Sequence, residues 1–347
     1  MNNALTLARP MRILQHLTRR LNRTLNDREF KDRRVKLRSY PYIIHIDPTN
    51  HCNLRCPLCP TGQGIMPSQG MMSFETFKGI FDQFRMVAYT VQLYNWGEPL
   101  LNPEIFRMLR YISRYNIQSL ISTNFNIKMT PEVATEMVES GLKTLNVSFD
   151  GLTQETYEKY RIRGKVDRVI ENIKLLVETK KRLGVRYPQI LMQFIPFKHN
   201  EHEVVAAAEF AKQIGVDRFH VQPAIPDMST VATQKIAKSV EANQNWLALE
   251  EQNKRHNGGK WIYDPEACHY LWNSAVFRWD GAVYPCCIVY RDEDAFGNIK
   301  KLPFSEIWNG PQYRSARALF GNKTPSDKVF TTCDVCFENE GYKVVNK

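Results

Sequence analysis

"YIIHIDPTNHCNLRCPLC" (residues 42–59) joins a short apolar, β-branched run to three cysteines, Cys52, Cys56 and Cys59, spaced CxxxCxxC. The run predicts a buried strand over 42–46, with the cysteines on the loop that follows it. Three thiolates are an odd ligand set. A cubane iron–sulfur cluster has four irons, so three cysteines leave one iron with an open coordination position. Open positions are where reacting molecules bind, whereas fully liganded sites tend to be structural. Zinc is the competing reading, but zinc loops pair one CxxC with another or with two histidines, and neither lies nearby. His51 sits beside a ligand and reads as a cap of the loop.

Outward from this stretch the chain repeats one pattern. Further strands are expected at "TVQLYNW" (90–96), "IQSLIST" (117–123), "TLNVSF" (144–149), "ILMQFI" (190–195) and "RFHVQ" (218–222). Helices lie between them, opened by Asn102-Pro103 and Thr130-Pro131, the latter closed by Gly141. Six βα repeats with helical connections predict an α/β fold with a parallel sheet, curled by right-handed crossovers into a partial (β/α)6 barrel. Ligands in such folds bind at the C-terminal ends of strands, so the cysteine loop belongs at the mouth.

Composition bounds the setting. The 347 residues, 43% hydrophobic and 24% charged, suffice for one large core and a smaller one. No run of about 18 apolar residues exists for a membrane span and no signal-peptide core is present, so a cytoplasmic protein is expected. In that reducing compartment its eight cysteines read as ligands or reactive thiols rather than disulfides. Charge is uneven, because residues 1–38 hold 11 Lys and Arg against 3 acids, giving +8 of the total +11. Leu7, Met11, Leu14, Leu17, Leu21 and Leu25 recur there at steps of three or four, predicting a basic amphipathic helix. Such a helix could lie on an anionic membrane at its inner face, contact a phosphorylated substrate, or pack on its own domain with a solvated basic face. The body carries only the remaining +3, which argues against nucleic acid as a partner.

"HCNLRCPLC" resembles the cluster loop of the radical S-adenosylmethionine enzymes, and the six-unit barrel fits their core domain. The resemblance extends from about residue 40 over nearly the whole chain. It implies a [4Fe-4S] cluster on Cys52, Cys56 and Cys59, with S-adenosylmethionine chelating the fourth iron and yielding a 5′-deoxyadenosyl radical. It also implies an external electron donor such as flavodoxin or ferredoxin. "WGEP" is similar to the family segment that holds the methionine ammonium, with Trp96 replacing a glycine, Gly97 allowing close backbone approach and Glu98 accepting a charge-assisted bond. Ser122 and Asn124 end strand three. Ser148 and Arg161 match the positions that hold the ribose and carboxylate. Leu58 departs from the aromatic that many relatives place before the third cysteine, which leaves adenine stacking unassigned.

"FRWDGAVYPC" (277–286) reads as a β-hairpin, with Asp280-Gly281 supplying the positive φ angles of the turn. Around it, Cys268, Cys286, Cys333 and Cys336 could close either a zinc site or a fully liganded 4Fe-4S cluster. By resemblance they match the twitch half of a SPASM extension and imply one auxiliary [4Fe-4S] cluster. The expected organisation is a basic helix over 1–38, the barrel over 39–227, a helical linker over 228–262, and a small auxiliary-cluster domain of hairpin plus helices over 263–347. Cys287 is left over. It is either a buried small hydrophobe or, facing away from Cys286, a hydrogen donor to a substrate radical. The first role fits oxidation to a ketone, with the auxiliary cluster taking the electron; the second fits epimerisation. Relatives with this architecture include aminocyclitol dehydrogenases and sugar epimerases, and peptide-modifying relatives carry a leader-recognition domain that the basic helix is too short to provide. A small sugar, aminocyclitol or activated or lipid-linked glycan is therefore the expected substrate. A peptide maturase and a two-cluster electron-transfer protein are the alternatives. Tyr94, Asn95, Gln193, His220 and Gln222 are polar strand-end candidates for substrate contact, with His45 and Asp47 beside the cluster loop. His220 is either a general base or a satisfied core residue.

Overall fold

The computed structural model describes residues 9–222, 267–321 and 325–338. Helix α1 (Arg9–Lys31) precedes five strand–helix units and a sixth strand. Strand β1 (Ile43–Ile46) leads into the cysteine loop, α2 (Pro60–Gln63) and α3 (Phe74–Phe81), and β2 (Thr90–Gln92) into a 3-10 turn (Pro99–Leu101) and α4 (Ile105–Ser113). Then come β3 (Gln118–Thr123) with α5 (Pro131–Glu139), and β4 (Thr144–Ser148) with α6 (Gln154–Tyr160) and α7 (Val166–Leu183). Strand β5 (Gln189–Phe194), α8 (Val204–Gln213) and β6 (Arg218–Val221) complete the series. Neighbouring strands pair in parallel from β1 through β6, the α/β partial-barrel pattern expected from the repeats.

After this come α9 (Tyr270–Asn273), β7 (Ser274–Phe277), β8 (Ala282–Tyr284), β9 (Gly297–Asn298), α10 (Phe304–Trp308), α11 (Pro311–Ala318) and α12 (Thr332–Glu338). The hairpin β7–β8 does not stand apart as a small separate sheet. β7 pairs in parallel with β1, so one nine-stranded sheet runs β6-β5-β4-β3-β2-β1-β7-β8-β9. Its turn also differs from expectation, since Gly281 alone has a left-handed φ (+88°) and Asp280 does not. Asp280 instead accepts from the Arg278 side chain and the Ala282 amide. The expected linker over 228–262 lies outside the described residues.

Two local boundaries moved. Strand β2 stops at Gln92, and α4 starts at Ile105 rather than at Asn102-Pro103. Asn102 is used to join loops, because its amide donates to the Pro48 and Met72 carbonyls and its oxygen accepts from Glu104 N. Thr130 does cap α5, accepting from Val133 N.

Strand register sorts the sheet into two unlike faces. Ile44, Val91, Ile121, Leu145, Ile190 and Met192 lie on the helix side within the main core. His45, Gln92, Ser122, Asn146, Ser148, Gln193 and His220 occupy the alternate positions and form a polar band. Parallel strands buried on both faces are normally apolar throughout. A polar inner face therefore marks a cavity built for a ligand.

Helix α1 is amphipathic, but it is mounted in reverse. It lies across the N-terminal ends of the strands: Gln15 and Arg19 bond the carbonyls of Arg85, Tyr115 and Asn116, and Asn22 and Asn26 bond Tyr40, Ser39 and Trp272. Glu29 accepts from the amides of Arg38 and Ser39 and from the Ser39 hydroxyl. The helix thus closes the end of the barrel opposite the mouth. Its basic residues cannot serve a phosphorylated substrate bound at the cysteine loop.

Candidate active site

Three loops meet at the C-terminal ends of β1, β2 and β3. Cys52, Cys56 and Cys59 line one cavity together with Trp96, Gly97, Glu98, Ser122, Asn124, Ser148 and Arg161, all of them residues singled out in the sequence. The first two loops are in direct backbone contact. Glu98 N donates to His51 O at 2.8 Å, and a Cβ on Gly97 would fall 1.9 Å from Thr49 O. Only glycine permits that approach.

The Glu98 carboxylate is fully buried and accepts from Thr123 Oγ1, Asn124 N and Leu100 N. Burial pushes its pKa up to about 7, while those three donors pull it back toward the ionised form. A cation arriving in the cavity, such as an ammonium, would complete the ionisation. Asp47 lies below the same loops. It is fully buried, and desolvation raises its pKa to about 8, opposed by nearby backbone amides of Trp96, Thr49 and Gly97 and by Arg278. Neither of its oxygens has a partner at hydrogen-bonding geometry.

The thiols are surrounded by donors. Arg161 points an Nη toward Cys56 Sγ at 3.6 Å, Asn124 Nδ2 lies 3.6 Å from Cys52 Sγ, and Leu54 N lies 3.5 Å from it. Burial pushes the Cys56 thiol up to about 12 even with the Arg161 guanidinium beside it. A set of sulfurs backed by a guanidinium and N–H groups suits thiolates bound to iron. Arg161 is itself fixed by a buried pair with Asp150, Nε to Oδ2 2.5 Å, while Asp150 Oδ1 accepts from Ile195 N. Among the described residues no three His, Cys, Asp or Glu side chains come close enough to share a single ion. Thiols that each bind a separate iron of a cubane need not converge in that way.

Several residues that the motifs do not name complete this frame. Asn53 bonds Asn126 O and Asn124 Nδ2, and Asn126 Nδ2 reaches Tyr157 Oη, which staples the cluster loop to the loop after β3. Tyr160 lines the cavity and packs on Phe197 at 4.3 Å between ring centroids, in the small apolar cluster that also holds Leu58. A polar neighbour of a cysteine and an aromatic four residues before a single glycine carry no signal in one sequence. Only the fold makes them adjacent.

Other candidates are placed elsewhere. His220 is on the edge strand β6, bonded to Gln222 at 3.2 Å, and does not line the cysteine cavity. Tyr94 and Asn95 do line it, and Asn146 links Ser122 to Gln193 along the polar band. Cys287 does not line it either. Its sulfur is 3.3 Å from Tyr270 Oη and packs with Val276, Ala282 and Tyr284. Cys268, Cys286, Cys333 and Cys336 converge from the approach to α9, the end of β8 and α12, close enough for their charges to interact, and burial raises every one of these thiols. Amides of Tyr270 and Leu271 turn toward Cys268.

A partial barrel with an open three-cysteine cluster loop at its mouth and a second cysteine set behind its first strand defines an iron–sulfur enzyme class. Family models bear this out: the Radical SAM superfamily matches residues 46–211, and the SPASM iron–sulfur cluster-binding domain matches residues 268–337. The chain belongs to the radical SAM superfamily, with S-adenosylmethionine and iron–sulfur clusters as its cofactors. Over its length it is 26% identical to the tungsten-containing aldehyde ferredoxin oxidoreductase cofactor-modifying protein of Pyrococcus furiosus, covering 86% of this chain and 92% of that one. It is 25% identical to the AdoMet-dependent heme synthase of Methanosarcina barkeri, covering 87% and 90%. In fold it is similar to Streptococcus suis SuiB bound to S-adenosylmethionine, with a TM-score of 0.61 at 15% identity over 86% of this chain and 72% of that one.

Proposed function

We propose that this radical SAM enzyme takes a hydrogen atom from a hydroxyl-bearing small molecule without phosphate or carboxylate groups, a sugar or aminocyclitol, and that the outcome is oxidation to a ketone. The observation that carries this reading is the chemistry of the mouth. Beside the positions taken by S-adenosylmethionine, the cavity and the polar band offer the Tyr94 phenol and the amides of Asn95, Asn146 and Gln193. The only guanidinium or ammonium in the described lining is Arg161, which is paired with Asp150 and, in this reading, serves the carboxylate of S-adenosylmethionine and not the substrate. In a chain of net charge +11, a mouth with no spare cation suits a neutral polyol better than a phosphate or a carboxylate-rich ligand.

Cys52, Cys56 and Cys59 would hold the catalytic cluster, and Cys268, Cys286, Cys333 and Cys336 the auxiliary one. When bound, these groups with S-adenosylmethionine supply a carbon-centred oxidant and an electron acceptor, recharged by a donor such as flavodoxin or ferredoxin. Glu98 would take the methionine ammonium, and Ser122, Asn124 and Ser148 would orient the nucleoside. Arg161 would hold the carboxylate end. Oxidation is preferred to epimerisation because Cys287 is not part of the cavity lining and its sulfur lies 3.3 Å from Tyr270 Oη.

The reconstituted protein, reduced by dithionite, is screened with neutral polyols and aminocyclitols in deuterated water, following 5′-deoxyadenosine and product. A ketone formed without carbon-bound deuterium, at the same rate in Cys287→Ala, supports the reading. Solvent deuterium on carbon that disappears in Cys287→Ala assigns epimerisation, and nucleoside formed only with a peptide assigns a maturase.

A further inference from the structure

We propose that α1 is an anionic-membrane docking helix that holds the enzyme on a bilayer with its active-site mouth turned away from the lipid. At 100° per residue, Gln15, Arg19, Asn22, Asn26 and Glu29 fall on one line of α1, and this polar line meets the body. Every one of these side chains is bonded there, mostly to backbone carbonyls and amides at the closed end of the barrel. A helix held by hydrogen bonds on its polar side must show its apolar side elsewhere. Leu14, Leu17 and Leu21 form a second line about 130° away on the helical wheel. They are 52%, 51% and 72% exposed, with Met11 and Ile13 beside them, also exposed. Among the described residues nothing covers this line.

Single exposed leucines are ordinary; a continuous ridge on one helix marks an interaction surface. Charge decides what covers it. Over residues 9–31 the helix has seven Lys and Arg against two acids, Asp27 and Glu29, with Arg19 turned inward and Arg23 paired with Asp27. Arg20 and Arg28 are exposed on the same outward side as the leucines. A two-fold contact between copies through this ridge would set the arginines of one helix against those of the other. An anionic headgroup layer instead takes the arginines while the leucines enter the acyl boundary, the pattern of interfacial helices. Because α1 crosses the N-terminal ends of the strands, the cysteine loop at their C-terminal ends faces the aqueous side. Docking this way leaves the cavity open to soluble substrate.

The test is co-sedimentation of the full reconstituted protein with vesicles of equal parts phosphatidylglycerol and phosphatidylcholine, against vesicles of phosphatidylcholine alone. The expected result is binding to the anionic vesicles only, weakened by high salt. At about fivefold per arginine near an anionic surface, Arg20→Gln with Arg28→Gln should weaken binding roughly thirtyfold. Leu17→Glu with Leu21→Glu should abolish it, and because these side chains are exposed, neither pair should change melting temperature or 5′-deoxyadenosine formation. Equal binding to neutral vesicles, no binding to either, or binding that survives the leucine pair would overturn the proposal. So would a dimer in analytical ultracentrifugation that the leucine pair dissolves, since the ridge would then be a self-association surface.

Discussion

Replacing Gly97 by alanine tests whether the contact between the cluster loop and the loop after β2 sets the geometry of the site. The new methyl would lie 1.9 Å from Thr49 O, 2.6 Å from Thr49 C and 2.8 Å from Asn50 Cα. To reach even a 3.0 Å contact, the two backbones must part by about 1.1 Å. Neither side can give cheaply. Thr49 is tied through its hydroxyl to Gly70 O and the His51 amide, and Asn50 is bonded in both directions to Ser68 and Gly70. On the other side, Glu98 is bound to His51, Thr123 and Asn124. The shift therefore passes to Glu98 or to the loop carrying Cys52, and a misplacement of about 1 Å at a reacting centre costs roughly a hundredfold in rate. Overpacking of a rigid contact should also cost about 1–3 kcal/mol of stability. We expect Gly97→Ala to retain its iron, to melt lower, to bind S-adenosylmethionine more weakly by calorimetry, and to form 5′-deoxyadenosine about a hundredfold more slowly. A variant that matches wild type in melting temperature and stays within about threefold in affinity and rate would refute this account of the loop contact.

Two further outcomes follow from buried charge. Arg161→Ala leaves Asp150 buried without its ion partner and should cost about 3–5 kcal/mol in urea unfolding of the apoprotein, with much of the loss recovered when Asp150→Ala is added; a single-variant loss below about 1 kcal/mol would mean the pair is not isolated from water. Asp47 holds a proton in the native state up to about pH 8 that the unfolded chain releases near pH 4, so stability should fall as pH rises through that window and level off above it. Asp47→Asn should remove a decline of a few kcal/mol, measured as the difference between urea midpoints at pH 5 and pH 8, and an unchanged difference would show that the amides of Trp96, Thr49 and Gly97 satisfy the carboxylate after all.

The sequence alone determined the local chemistry: a strand followed by CxxxCxxC, a glycine and a glutamate after the second strand, and a second set of four cysteines far downstream. The first two were legible because each rests on spacing within a few residues, where backbone geometry fixes what neighbours can do; the four downstream cysteines, spread over residues 268–336, were read through the family resemblance. The alternation of strands and helices likewise carried the parallel sheet. Tertiary structure decided the rest. Arg161 reaches Cys56 across 105 positions, and Asp150 and Ile195 hold it there, contacts that no periodicity encodes. β7 settled in parallel against β1, so the C-terminal hairpin extends the barrel sheet instead of forming its own. The leucine repeat of α1 correctly announced an amphipathic helix, yet periodicity reports only which residues share a face. Which face meets the body depends on what the body presents, and here the open ends of the strands present unpaired carbonyls and amides, so Asn22, Asn26, Gln15 and Arg19 went inward and Leu14, Leu17 and Leu21 were left outside, with Leu25 half-buried.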